Sequence, residues 1–188
     1  KVFVKANCFL TDCRTAELSK LVENSYRDVN IAFANELSLI CDKLGVNVWE
    51  LIKLANHHPR VNILQPGPGV GGHCIAVDPW FIIDSAPNQA KLIHTARLVN
   101  DSKPSFVLEK VMQAVESIDS RKSKLTIACL GLSFKPNIDD LRESPALEIA
   151  RLISLMGFRR LLVVEPNITE LPNSFNRNET ELVGLVAA

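Results

Sequence analysis

The sequence predicts an α/β protein overall, with an all-α central unit followed by the start of a doubly wound, Rossmann-like α/β unit. Three observations predict it. Apolar residues recur at helical spacing over Thr15–Leu44 and again over about Asn88–Ser117. After the polar run Asp119-Ser-Arg-Lys-Ser-Lys124 the period changes to a strand–loop–helix–strand order. Between the helical stretches, glycines and prolines crowd the run from Pro66 to Pro79 and break the pattern. The expected division is therefore a helical unit over residues 1–118 and a partial α/β unit over 119–188.

The first helix carries Leu18, Leu21, Val22, Val29, Phe33, Leu37, Ile40 and Leu44 on its apolar positions. Thr11 or Asp12 suits its start and Gly45 its stop. Some thirty residues make a rod of about 45 Å. That exceeds what a small unit needs and predicts packing against a second copy, hence a homodimer. Asn47 caps a second helix over Val48–Asn56, with Glu50 at the capping-box position. Pro104 interrupts the third stretch, which predicts a kink or two helices meeting there. Leu125–Leu130 reads as a buried strand, Ala146–Met156 as a helix, and Leu161–Val164 as a strand ending at Glu165. Two strands do not make a stable sheet, so the rest of the sheet is expected to come from elsewhere. The chain opens at Lys1, has no methionine before Met112 and stops at Ala188, so it is expected to be a piece of a longer protein.

Composition narrows the function classes. Basic and acidic residues balance at 21 each, which argues against nucleic acid or an acidic membrane surface as partner. No apolar run reaches the length of a membrane span. Hydrophobic residues make up 47% of the 188 positions, ample for a core. The five cysteines are odd in number, scattered and without a CxxC pair, so neither a zinc site nor a disulfide framework is expected. Reduced thiols in a cytoplasmic protein fit them.

Gly67-Pro-Gly-Val-Gly-Gly-His-Cys-Ile-Ala-Val-Asp-Pro79 is the most informative segment. Its glycines allow another molecule to come close to Cys74. If Cys74 opens a helix, Asp78 lies one turn on and the helix end favours a thiolate. The plain alternative is a tight turn around a buried cysteine. Lys20 and Asn24 stand at i and i+4 on one helix face, where a solvated polar face is the plain reading. His57 and His58 have no third ligand at metal-site spacing, and no metal is expected. His73 adjoins Cys74 and is read as a loop residue rather than a base. Gly131-Leu-Ser-Phe-Lys-Pro-Asn-Ile-Asp-Asp-Leu-Arg-Glu-Ser-Pro145 joins strand to helix, where open sheets bind ligands, with Ser144 as cap and Pro145 at the first helical position. The plain reading there is a charged loop whose aspartates face water.

The cysteine loop resembles that of the UDP-glucose/GDP-mannose dehydrogenase family, from about Arg14 to about Pro172. The stretch His58-Pro-Arg-Val-Asn-Ile-Leu-Gln-Pro66 and the ending Ile75-Ala-Val-Asp-Pro-Trp-Phe81 are similar to the branch that oxidises UDP-N-acetyl-D-mannosamine. Where UDP-glucose enzymes place a lysine before the aspartate, this chain has Val77. The resemblance implies Cys74 as nucleophile, Lys20 and Asn24 as oxyanion stabilisers, and Asp78 as the group that positions or deprotonates water. It implies substrate contacts from Arg60 (serving a neighbouring subunit's site), Gly71, Phe134 and Lys135, and a contact from Arg142 to NAD. The family's dinucleotide-binding domain, with its glycine fingerprint, is not found in this stretch.

The implied activity is NAD-dependent, two-step oxidation of a UDP-sugar at C6, with UDP-N-acetyl-mannosamine or a related UDP-sugar as substrate. Two other readings stay open. The chain on its own is a catalytically silent dimerisation and ligand-binding piece, or it belongs to a dehydrogenase of the 6-phosphogluconate or hydroxyisobutyrate type. The latter needs no cysteine nucleophile.

Overall fold

A computed structural model describes residues 3, 5–118, 121–175 and 179–184. The expected domain junction at 118/119, the first two linker residues and the chain's last four lie outside them. The first helix, α1 (Cys13–Leu44), is one 32-residue rod. Asp12 caps it, accepting hydrogen bonds from the Thr15 N–H at 3.1 Å and the Thr15 hydroxyl at 2.7 Å. The helix therefore starts two residues ahead of the expected Thr15. Gly45 ends it at φ 67°, the left-handed conformation that favours glycine. Asn47 caps α2 (Val48–Ala55) by accepting from the N–H groups of Trp49 and Glu50. Asn56 then bonds both the N–H and the C=O of Ile63, at 2.7 and 3.0 Å, and so pins the loop that carries His57, His58 and Arg60.

One helix expectation needs correction, and one of the two alternatives at Pro104 falls away. Cys74 does not open a helix: α3 runs Asp78–Ser85, and Cys74 lies in the turn before it. Pro79 explains the later start, because a residue without an N–H is accommodated in the first turn. The third stretch is one continuous helix, α4 (Lys91–Glu116), with Pro104 inside it. Proline removes the donor to the Asn100 carbonyl, but that carbonyl faces the glycine loop: a Cβ on Gly69 would lie 3.3 Å from it.

α1 and α4 meet along a polar seam rather than an apolar one. Asp28 and Arg97, both essentially buried, pair at 2.6 Å. The Asn100 amide donates to the Asp28 carboxylate at 2.8 Å and accepts from Asn35 at 2.8 Å. Asn35 accepts in turn from the Gly67 N–H at 2.8 Å. Burial raises the Asp28 carboxyl above its usual range, against the pull of Arg97. A buried pair of this kind specifies how the helices fit more than it stabilises them. Six large side chains of α1 point the other way, Leu18, Val22, Tyr26, Phe33, Ile40 and Leu44, all exposed, while Leu21, Val29 and Leu37 are half-buried.

The C-terminal unit is a three-stranded parallel sheet in the order β1 (Thr126–Leu130), β2 (Arg160–Val164), β3 (Thr180–Leu182). β3 is an addition to the two expected strands. α5 (Pro145–Ser154) crosses from β1 to β2, capped by Ser144 with Pro145 at its first position. Ile149 and Ile153 of α5 pack with Leu161 and Val163 of β2, and Val107, Val111 and Val115 of α4 join that core. α4 thus ties the two units together. β1 is not the buried strand expected: its residues alternate exposed and half-buried, and Leu130 is 70% exposed. Helix covers one face of this sheet; on the other face the outward residues of β1 are exposed, while Leu162 of β2 is half-buried and Val164 buried.

Candidate active site

Three segments converge on Cys74. α1 contributes Lys20, Asn24 and Arg27, at i, i+4 and i+7 on one face. The glycine loop contributes Gly71, Gly72, His73, Cys74 and Ile75, and the β1–α5 loop contributes Phe134 and Lys135. Together they line a cavity of about 310 Å³. That volume is at the lower end for small-molecule sites, roughly 300–1,000 Å³. Three roomier clefts, of about 510, 740 and 400 Å³, lie elsewhere; the 740 Å³ one also brings a cysteine, a lysine and an asparagine together (Cys41, Lys103 and Asn47), but Cys41 is buried there and Cys74 does not line it.

The glycines are there because the two loops touch. A Cβ on Gly71 would stand 2.5 Å from the Glu143 carbonyl oxygen and 2.7 Å from the Phe134 Cβ. Backbone and a Cβ cannot swing aside, so only glycine fits. Gly72, at φ 86°, donates its N–H to the Arg142 carbonyl at 3.2 Å. Glu143 holds a positive φ of 49°, uncommon for a non-glycine residue, at this same contact. The cysteine loop is therefore seated on the C-terminal unit.

Cys74 is half-buried, and its carbonyl accepts the N–H groups of Val77 at 3.0 Å and Asp78 at 2.8 Å. Asp78 is joined to α1: the Asn24 amide donates to its carboxylate at 2.6 Å. Lys20 pairs with Glu23 at 3.2 Å, both exposed, so its ammonium is weakly held and free to turn to a ligand. The Lys135 ammonium lies 5.6 Å from the centre of the Phe134 ring.

Lys20, Asn24, Gly71, Cys74, Phe134 and Lys135, six of the site residues expected from sequence, line one cavity, and Asp78 reaches it through Asn24. Arg142 stands at its margin. Its guanidinium is held by the Asp140 carboxylate at 2.6–3.1 Å and approaches the His73 ring at 3.4 Å. The Arg142 side chain holds Asp140 at about 2, and Arg142 itself is raised by the same pair. Asp140 therefore does not simply face water. Arg60 is exposed on the Asn56–Ile63 loop and does not line the cavity. Sequence reasoning passed over Arg27 and set His73 aside as a loop residue. Arg27 was legible from its spacing to Lys20 and Asn24; His73 and Asp140 became visible only when the loops met. Among the described residues no three of His, Cys, Asp and Glu gather as a metal site.

Comparison with known proteins gives this grouping a context. Residues 14–102 match the model of the UDP-glucose/GDP-mannose dehydrogenase family, central domain, and residues 128–186 that family's UDP binding domain. The chain is 63% identical over 190 residues to UDP-N-acetyl-D-mannosamine dehydrogenase of Yersinia pestis, with 99% of this chain and 44% of that protein aligned. It is 65% identical over 174 residues to the NDP-N-acetyl-D-galactosaminuronic acid dehydrogenase of Ralstonia solanacearum, covering 93% and 40%. The UDP-D-ManNAc dehydrogenase structure from Pyrococcus horikoshii superposes with a TM-score of 0.82 at 44% identity, covering 89% of this chain and 40% of that one. The chain thus spans under half the length of these relatives. With both of its regions matched in order, and the cysteine, lysine and asparagine brought to one cavity, the chain belongs to the UDP-glucose/GDP-mannose dehydrogenase family.

Proposed function

We propose that this chain is the central and UDP-binding part of an NAD-dependent dehydrogenase that oxidises UDP-N-acetyl-D-mannosamine at C6 to the uronate. The observation that carries the reading is the cavity in which Cys74 faces Lys20, Asn24 and Lys135. NAD, when bound, would supply the hydride acceptor for each of two oxidation steps. Between them the Cys74 sulfur adds to the C6 aldehyde, forming a C–S bond and a thiohemiacetal whose oxygen gains the proton. The second oxidation leaves a thioester; water adds to it, the C–S bond breaks, and the carboxylate departs as the thiol is restored.

Lys20 and the Asn24 amide, which line the cavity with Cys74, would stabilise an oxyanion on C6. Asp78, oriented by Asn24, is the group to hold or deprotonate the hydrolytic water. Lys135 and the Phe134–Gly71 wall take the sugar nucleotide. Arg142, a fork-shaped cation pre-oriented by Asp140, is fitted to a pyrophosphate such as that of NAD. Arg60, away from its own cavity, serves a neighbouring subunit. The exposed apolar face of α1 supports a homodimer, and five free thiols suit the cytoplasm.

The test is a panel of UDP-sugars offered to the complete dehydrogenase that carries this chain. UDP-N-acetyl-mannosamine is expected to yield two equivalents of NADH and the uronate; faster turnover of the galacto epimer would move the substrate assignment. Cys74→Ser is expected to abolish uronate formation, because an oxygen ester does not hydrolyse as a thioester does. Wild-type uronate production by that variant would remove the covalent step.

A further inference from the structure

In an open α/β sheet the backbone N–H groups just after the first strand form the natural seat for a ligand's phosphate. Here that seat is taken from within. Glu165, at the end of β2 and 6% exposed, turns one carboxylate oxygen to the N–H groups of Leu132 and Ser133, both at 2.9 Å. Its other oxygen accepts from the Asn167 backbone at 3.3 Å and side chain at 3.1 Å. Two consecutive N–H groups on one anionic oxygen make an anion nest, and the occupant is the protein's own carboxylate. The residues that follow are Phe134 and Lys135. Ser133 closes the loop further through its hydroxyl, which donates to the Ile138 carbonyl at 2.8 Å.

We propose that Glu165 is a positioning residue: by filling the nest it fixes the start of the β1–α5 loop, so that Phe134 and Lys135 face Cys74, and it excludes substrate phosphate from the backbone amides. Its direct consequence is that the diphosphate of the sugar nucleotide is held by side-chain cations and not by this glycine-turn backbone. Burial pushes the Glu165 carboxyl up, but the amides of Leu132, Ser133 and Asn167 outweigh it and hold it at about 2, so the internal anion persists at any physiological pH. The inference rests on the UDP-sugar reading above for its substrate, not for its geometry.

Glu165→Ala in the complete dehydrogenase empties the nest. KM for the UDP-sugar is expected to rise roughly tenfold, the scale of one charge-assisted contact, with a smaller change in kcat. Acetate, added as a substitute anion, is expected to bring KM back towards wild type in a saturable manner and to leave wild-type KM unchanged. Glu165→Gln keeps an acceptor oxygen and is expected to fall between the two; it also carries the test should the alanine variant not fold. An unchanged KM in the alanine and glutamine variants, or a raised KM that acetate does not lower, overturns the proposal. Acetate should also raise the melting temperature of Glu165→Ala and not that of the wild type, with no sugar nucleotide present. A wrong substrate therefore shows as no wild-type turnover, and a wrong nest as no acetate shift.

Discussion

Cys74 differs from the other thiols by place, and the difference is measurable. Cys41 is buried in the α1–α4 region, and burial pushes the Cys129 thiol up to about 11, where almost none is ionised near neutrality. Cys8 and Cys13 are exposed and would compete for reagent, so both are best changed to serine first. In that background mild alkylation at neutral pH is expected to modify Cys74 ahead of Cys41 and Cys129, read by peptide mass. Labelling of Cys129 at the same rate would contradict the burial that separates them. Gly71 permits a sharper test. Its missing Cβ leaves room for the Glu143 carbonyl, the Phe134 Cβ and the Pro145 ring, none of which is the tip of a flexible chain. Gly71→Ala is therefore expected to lift the cysteine loop from the C-terminal unit, costing about 1–3 kcal/mol by overpacking. Activity should fall by more than tenfold, while the same substitution at Gly184, which meets nothing, should leave it unchanged. Equal effects at both positions would mean the loop contact is irrelevant to the site.

The elements carry a pH-dependent prediction through Glu165, which follows β2 directly and ties it to the loop after β1. Its folded-state value of about 2 lies below the unfolded value of about 4.3, so its contribution is present above the unfolded value and disappears as pH falls through the folded one. That contribution is on the order of 3 kcal/mol, lost between about pH 5 and pH 2. Acid unfolding followed by circular dichroism should accordingly be shallower for Glu165→Gln than for the wild type over that window; parallel curves would show that the carboxylate is not so held. The element ends were legible where local chemistry decides them: Asp12, Gly45, Asn47, Ser144 and Pro145 all act within a few residues of themselves. Helical spacing alone puts Lys20, Asn24 and Arg27 on one face, but it leaves that face a solvated one; the family resemblance, not the spacing, singles out Lys20 and Asn24 as site residues, and Arg27 escapes it. What escaped depends on partners distant in the chain. Pro104 reads as a kink or a junction of two helices, and α4 runs as one helix through it, with the Asn100 carbonyl turned to the glycine loop. β1 reads as buried, yet only one face is covered. The α1 interior reads as its apolar stripe, yet the side turned to α4 is Asp28, Asn35 and small residues, with Leu18, Val22, Phe33, Ile40 and Leu44 of the stripe outside.

At the scale of the whole molecule, that outward face and the position of Arg60 make one argument. A 32-residue helix with six large apolar side chains exposed along it is unfavourable in water at about 25 cal/mol for each Å² left uncovered. A second copy covers such a face symmetrically, since a two-fold interface brings the same patch to itself. The dehydrogenase is expected to be a dimer by light scattering at micromolar concentration, and Phe33→Glu, which places a charge in the middle of the stripe, to shift it towards monomer. A wild-type monomer under those conditions would remove the dimer. Arg60 then acquires a definite role, because it stands on a pinned loop outside its own Cys74 cavity. If it completes the partner's site, then Arg60→Ala and Cys74→Ser proteins, each weak or inactive alone, should complement on mixing and subunit exchange. A mixed dimer pairs the intact Cys74 of one subunit with the intact Arg60 of the other, giving one working site of two. Random exchange makes roughly half the dimers mixed, so about a quarter of wild-type activity should return. If Arg60 instead serves the cavity of its own chain, every site in every mixture lacks one of the two residues and activity stays at the sum of the parents. Recovery in the mixture, absent when Phe33→Glu is added to both chains, would place the arginine and the cysteine in the same site from opposite subunits.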